Sequence, residues 1–233
     1  RHEHGARFAA FLNHEVVPSE VGVVDAAAEL IAQLVGPDAF RIHSPDDTNH
    51  PIGASGTIST VQLRYGFRIY PTPGQRQSLA KAFGCARTVF NDGLRARQDA
   101  HAAGLPYIKD TDLQKQVITA AKQTPERAWL AEVSSVVLVQ ALGDLHTAYR
   151  NFFASATGRR KGPKVAPPRY RSKKDNRQTI RLTRNGFSIR PNGCLYVAKI
   201  GEIDVRWSRA LPSAPSSVTV IRDAAGRYFA SFV

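Results

Sequence analysis

Between Leu63 and Gln75 the chain passes from a period of two to a helix start with almost nothing between, and that junction limits the folds open to it. Leu63, Tyr65, Phe67 and Ile69 alternate with Arg64, Gly66, Arg68 and Tyr70, the pattern of a half-buried strand. Thr72-Pro73-Gly74-Gln75 follows, with a hydroxyl at the cap, proline at the first helical position and an amide three residues on. Those are the parts of a capping box. The helix it opens carries Leu79, Phe83, Ala86, Phe90 and Leu94 at spacings of three and four and is predicted to end near Gly104.

A second helix is predicted over Asp110–Lys122, starting beside Thr111, and a third after Ser134, with Leu138, Leu142, Leu145, Tyr149 and Phe152 along one stripe. These stripes read as core-facing and carry no chemistry. Trp129-Leu130 is expected to pack into the same core. Then comes a basic stretch: 11 of the 27 residues over 158–184 are Lys or Arg, and Asp175 is the only acid. Pro163, Pro167 and Pro168 rule out a continuous helix, so an extended arm or irregular loop is predicted. Short alternating runs follow at Gln178–Leu182, Cys194–Lys199, Ile203–Trp207, Ser217–Ile221 and Tyr228–Val233, separated by turn signals at Asn185-Gly186, Asn192-Gly193 and Ala225-Gly226. They make a small antiparallel sheet or barrel, from which the first strand is cut off by a helical insertion of about 85 residues.

Charge divides the chain. Residues 1–60 hold three basic residues against eight acidic ones, whereas residues 61–233 hold 29 against 11, a net of +18. Such asymmetry marks two units. The first offers one plausible helix, Ser19–Val35, and then a loop-forming stretch, and it reads as a poorly ordered or spurious leader, with Val61 as a candidate start. Five of the seven His lie there, without the i, i+4 pair or Cys partner that a metal site would need. Met is absent throughout, which reads as a fragment of a longer product. No signal peptide and no run approaching the roughly 20 apolar residues of a membrane span is present. Two distant cysteines, Cys85 and Cys194, make neither a zinc half-site nor a disulfide framework, and a reducing bacterial or archaeal cytoplasm, near the nucleoid, is expected.

The partner expected of the basic unit is nucleic acid. Phosphates need cations but not exact placement, and the arm supplies Arg159, Arg160, Lys161, Lys164, Arg169, Arg171, Lys173 and Lys174. Tyr170 among them can stack on an unpaired base. An acidic membrane face is the lesser alternative, since no apolar face accompanies the charges. Asp92, Asp110, Asp112 and Asp144 read as caps or surface partners, and His101 and His146 as helix-surface residues. Neither a paired-carboxylate site nor a glycine-rich phosphate loop is found.

Five segments carry a resemblance. Phe67-Arg68-Ile69-Tyr70-Pro71-Thr72 and Gly84-Cys85-Ala86-Arg87-Thr88-Val89-Phe90-Asn91 resemble the opening of TnpB, the OrfB protein of bacterial insertion sequences. Trp129-Leu130-Ala131-Glu132-Val133-Ser134, then the run from Gln140 to Phe153, then Pro168-Arg169-Tyr170-Arg171-Ser172-Lys173-Lys174 continue in that family's order. The similarity covers about 63–233. It implies an α+β fold: a helical, helix-turn-helix-like recognition lobe (73–157) inserted after the first strand (61–72) of a small antiparallel wedge barrel, resumed over 178–233 after the basic arm (158–177).

In function it implies the nucleic-acid-binding front of a transposon-encoded, RNA-guided DNA endonuclease of the transposase-associated class. Its partners would be a guide RNA from the transposon end and target double-stranded DNA, the protein reading a short flanking motif and base pairing reading the rest. By position, motif reading falls on Tyr107 and Thr111, on Ser135, Val139 and Gln140, and near Thr179 and Arg181, with Val139 standing where a polar residue is frequent. Arg68 and Arg87 would lie along a nucleic-acid backbone, Arg87 equally well holding Asn91 or a carbonyl. The family's Asp–Glu–Asp metal site and four-Cys zinc ribbon would lie beyond Val233, so no cofactor and no catalytic residue is expected in this sequence. A non-catalytic repressor or accessory factor is the alternative.

Overall fold

The computed structural model describes residues 63–175 and 177–233, and the helix expected over Ser19–Val35, with the leader around it, lies outside them. The architecture is α+β, with helices following the first strand of a seven-stranded antiparallel sheet that curls into a nearly closed barrel.

Strand β1 (Tyr65–Tyr70) sends Phe67 and Ile69 inward, 2% and 1% exposed. Leu63, expected on the same buried row, lies before the strand and is 57% exposed. The capping box forms as its residues dictate: Gln75 N donates to Thr72 Oγ1 (3.4 Å) and Thr72 N donates to Gln75 Oε1 (2.9 Å). Gln75 Nε2 also donates to Glu202 O (2.6 Å), tying the helix start to the barrel.

Helix α1 (Pro73–Ala102) buries the predicted stripe of Leu79, Phe83, Ala86, Phe90 and Leu94, and Val89 beside it. It ends in a Schellman turn in which Gly104 (φ +66) takes the left-handed position and Leu105 N donates to Ala100 O (2.8 Å).

The predicted second helix changes pitch. Only α2 (Asp110–Gln114) is α-helical; a π-helical turn covers Lys115–Ala120 and a 3₁₀ turn Ala121–Gln123. Leu113, Val117 and Ile118 are all buried, and widening the turn brings the adjacent Val117 and Ile118 to the core together. A second 3₁₀ turn (Ala128–Glu132) buries Leu130 fully, but Trp129, expected in the core, is 38% exposed. Its indole N–H donates to Glu126 O (2.8 Å), and Arg127 lies 6.0 Å from its ring. The indole N–H needs a partner, and the loop carbonyl outside the core supplies one.

Helix α2 is followed, after these turns, by α3 (Ser135–Ala156), which buries Val137, Leu138, Ala141, Leu142 and Leu145. Where α1 and α3 cross, Gly93 permits the approach: a Cβ there would lie 2.8 Å from Leu142 Cδ2 and 3.1 Å from Leu145 Cδ2.

The remaining strands are β2 (Gln178–Thr183), β3 (Phe187–Ile189), β4 (Leu195–Val197), β5 (Gly201–Arg206), β6 (Ser217–Arg222) and β7 (Tyr228–Phe232). Their order is β2-β6-β7-β1-β5-β4-β3, all neighbours antiparallel. β1 is the centre of the sheet, although some 100 residues separate it from the rest. β3 was not anticipated; the Asn185-Gly186 signal is a 3₁₀ turn (Arg184–Gly186) leading into it. Phe67, Ile69, Leu182, Leu195, Ile203, Val220 and Phe232 fill the barrel, and the core runs without a break into the helices through Leu79, Phe83 and Leu138.

Candidate nucleic-acid interface

The basic arm has no regular structure from Gly158 to Asp175, yet it is fastened to the helices: Val165 N donates to Ser155 Oγ of α3 (2.9 Å), and a denser set of contacts holds Arg171. Asn91, half-buried on α1, clasps one backbone unit: Arg171 N donates to Asn91 Oδ1 (2.8 Å), and Asn91 Nδ2 donates to Arg171 O (3.0 Å). The Arg171 guanidinium lies 3.8 Å from the Phe90 ring centroid and donates to Asp144 Oδ2 (3.2 Å). The other oxygen of Asp144 accepts from Arg181 Nη2 of β2 (3.1 Å), so one carboxylate of α3 binds arm and barrel together. Next to it, Tyr170 OH donates to Gln98 Oε1 (2.6 Å), though the ring remains 49% exposed.

On either side of this fastening Arg160, Lys161, Lys164, Arg169, Lys173 and Lys174 are exposed, and no ion pair involves them among the described residues. Arg159 is exposed with them. Cations crowded on a short span with Asp175 as its single carboxylate repel one another, and a polyanion relieves that repulsion.

The positions expected to read a base motif are not gathered at one spot. Ser135 is exposed at the start of α3, its Oγ accepting from Lys122 Nζ (2.9 Å), and Val139 and Gln140 are half-buried one turn on. Tyr107 packs edge-on to Tyr149 and Phe153 near the other end of α3, which at 1.5 Å per residue is about 20 Å away. Burial holds the Tyr107 hydroxyl above its ordinary pKa. Thr111 is exposed in the first turn of α2, and Thr179 and Arg181 are exposed on β2. Arg87 is half-buried on α1 and does not hold Asn91, whose amide is taken by Arg171. Arg68 is half-buried on the outside of the barrel.

Sequence reasoning missed one buried cation. Arg97 is 4% exposed, its Nη2 donating to Asp110 Oδ1 (2.7 Å) and Ile108 O (3.2 Å), with its guanidinium 4.3 Å from the Tyr107 ring. His146, expected on a helix surface, is half-buried there, its Nδ1 2.8 Å from the same oxygen without a hydrogen bond, and burial holds it below the usual imidazole range. The one sequence signal is position: Arg97 lies three residues after Leu94 and seven after Phe90, on the buried stripe of α1.

Among the described residues no group of three or more His, Cys, Asp or Glu is placed to hold a metal. Asp92 is committed to Arg127 (2.8 Å), Asp110 to Arg97, Asp112 to Lys115 (3.6 Å) and Asp144 to two arginines. Cys85 is buried, its thiol pushed up to about 11 by that burial. These described residues do not fit the divalent metal or zinc of the resembled family. No helix among the described residues is long and apolar enough to cross a membrane.

The OrfB_IS605 helix-turn-helix domain matches residues 59–105, the stretch that contains β1, the capping box and α1. A Streptomyces pristinaespiralis protein named "Putative RNA-guided DNA endonuclease" is 41% identical over 182 residues, 76% of this chain and 42% of its own length. The InsQ protein of Escherichia coli (strain K12), which bears the same name, is 28% identical over 167 residues, 72% of this chain and 39% of its own. Virulence protein VsdF of Salmonella dublin is 34% identical over 94 residues, 36% of this chain and 76% of its own. The chain thus spans about two fifths of the length of the two endonuclease-named relatives. With five motifs in order, a matching domain and these relatives, the chain belongs to the TnpB/OrfB family of insertion-sequence proteins.

Proposed function

We propose that these residues are the nucleic-acid-binding portion of an RNA-guided DNA endonuclease, holding a guide RNA and the DNA beside its target. The observation that carries this reading is the arm: anchored at Asn91 and Asp144, with six exposed cations that have no ion-pair partner among the described residues. On this reading 61–72 and 178–233 act as a wedge, 73–157 as a recognition lobe and 158–177 as the strap between them. Arg159, Arg160, Lys161, Lys164, Arg169, Lys173 and Lys174 follow phosphates, and the exposed ring of Tyr170 meets an unpaired base. Tyr107, Thr111, Ser135, Gln140 and Arg181 contact the flanking DNA, while base pairing to the guide reads the remainder. Metal-dependent cleavage belongs to residues outside this sequence.

The test is RNA binding by the 233-residue chain across a salt series, read by fluorescence anisotropy. Arg169, Lys173 and Lys174 are changed together to Gln; Arg171 is spared because it anchors the arm. Three fewer phosphate contacts should lower the slope of log affinity against log salt by about two. An unchanged slope would remove the arm from the interface. A wild-type chain that ignores RNA at low ionic strength would end the reading altogether.

A further inference from the structure

Arg68 on β1 and Arg206 on β5 are direct cross-strand partners on the outer face of the barrel. Like charges in that relation repel and weaken the pairing. No ion pair involves either residue among the described residues. On its other flank Arg68 faces Phe229 of β7, and its guanidinium lies 5.0 Å from that ring and 5.7 Å from the ring of Tyr70. Its Nε is buried with no hydrogen-bond partner. Two rings thus hold the guanidinium in place, and the neighbouring cation stands unneutralised. A planar donor array fixed by stacking is suited to an oxyanion.

Tyr70, at the end of β1, leaves its ring 48% exposed. Opposite it on β5 stands Asp204, which accepts from Cys194 Sγ (3.4 Å). That carboxylate, two residues from Arg206, disfavours a phosphate at the Tyr70 end. The anion seat is therefore the Arg68–Arg206 end, and the free aromatic surface is beside it.

We propose that this face of the barrel seats one unpaired nucleotide, with its phosphate between Arg68 and Arg206 and its base on Tyr70. The proposal rests on the reading that the chain binds nucleic acid, and adds a site separate from the arm.

The variants are Arg206→Gln and Tyr70→Leu in the full chain, both at exposed positions, probed with a labelled single-stranded RNA of about 20 nucleotides, the same sequence as single-stranded DNA, and the duplex DNA. Arg206→Gln should weaken single-strand binding and lower the salt slope by about 0.7. It should also leave the melting temperature equal or higher, because a repulsion has been removed. Tyr70→Leu should cost at least about fivefold on the single strand with the slope unchanged. Duplex binding should move with neither. Losses on RNA alone would identify the guide as the source of the nucleotide, and equal losses on single-stranded DNA the displaced target strand. Wild-type single-strand affinity in both variants, or a lower melting temperature in Arg206→Gln, would overturn the site. A loss seen only in the arm variant would overturn this site and leave the proposed function standing.

Discussion

Asn91 imitates a strand partner: its amide donates to and accepts from the same backbone unit of Arg171, as a neighbouring peptide would. Each such bond is worth about 1 kcal/mol net, so losing both in Asn91→Ala should raise the local opening of the arm about thirtyfold with little change in global melting. Tryptic cleavage after Lys173 and Lys174 measures that opening, and an unchanged cleavage rate would show that the Arg171 guanidinium and the Tyr170–Gln98 bond hold this part of the arm without Asn91. Asn91→Asp should fall between, since a carboxylate accepts from the Arg171 N–H but cannot donate to its carbonyl. None of this was legible beforehand: the motif containing Asn91 was noticed, but its partner is 80 residues away. The cross-strand neighbours of Arg68 were hidden likewise, because they follow from register and not from spacing along one segment. What could be read was the cationic arm itself, since proline and charge act locally.

Helix ends were the most legible feature at the next scale, because Thr72, Gln75 and Gly104 act within a few residues of themselves. Pitch and very short strands were not. The π turn over Lys115–Ala120 is set by what packs on Val117 and Ile118, and three residues of β3 are too few to show alternation. Two glycines of α1 separate helix propensity from packing. A Cβ at Gly84 would meet nothing within 4 Å, so Gly84→Ala should stabilise the protein by about 0.5–1 kcal/mol. Gly93 is closed in by Leu142, Leu145 and Leu113, and Gly93→Val should cost about 1–3 kcal/mol by overpacking. Denaturant midpoints measure both; equal effects would mean that the α1–α3 crossing is looser than the contacts indicate.

For the described molecule as a whole, barrel and helices share a single hydrophobic core. Sequence order suggested an insertion; it did not show that Leu79 and Phe83 of the insertion would pack in one cluster with the barrel's Leu182 and Val220. The two tryptophans report on the two parts: Trp129 beside Arg127 in the helical part, Trp207 stacked on Phe232 in the barrel. Trp129→Phe and Trp207→Phe each leave one reporter, and unfolding followed by either should give transitions of the same steepness, each coinciding with the circular-dichroism transition of its own variant. A reporter that departs from its variant's backbone signal would show that the shared core does not couple the parts. The order of the sheet has one more effect. Its outermost strands, β2 and β3, follow each other in the chain across Arg184–Gly186, β3 is three residues long, and β2 lies against α3. Among the described residues a second molecule therefore meets only the six-residue edge of β2 and the three-residue edge of β3 on which to add a strand, short runs that limit edge-to-edge growth when many copies are crowded together.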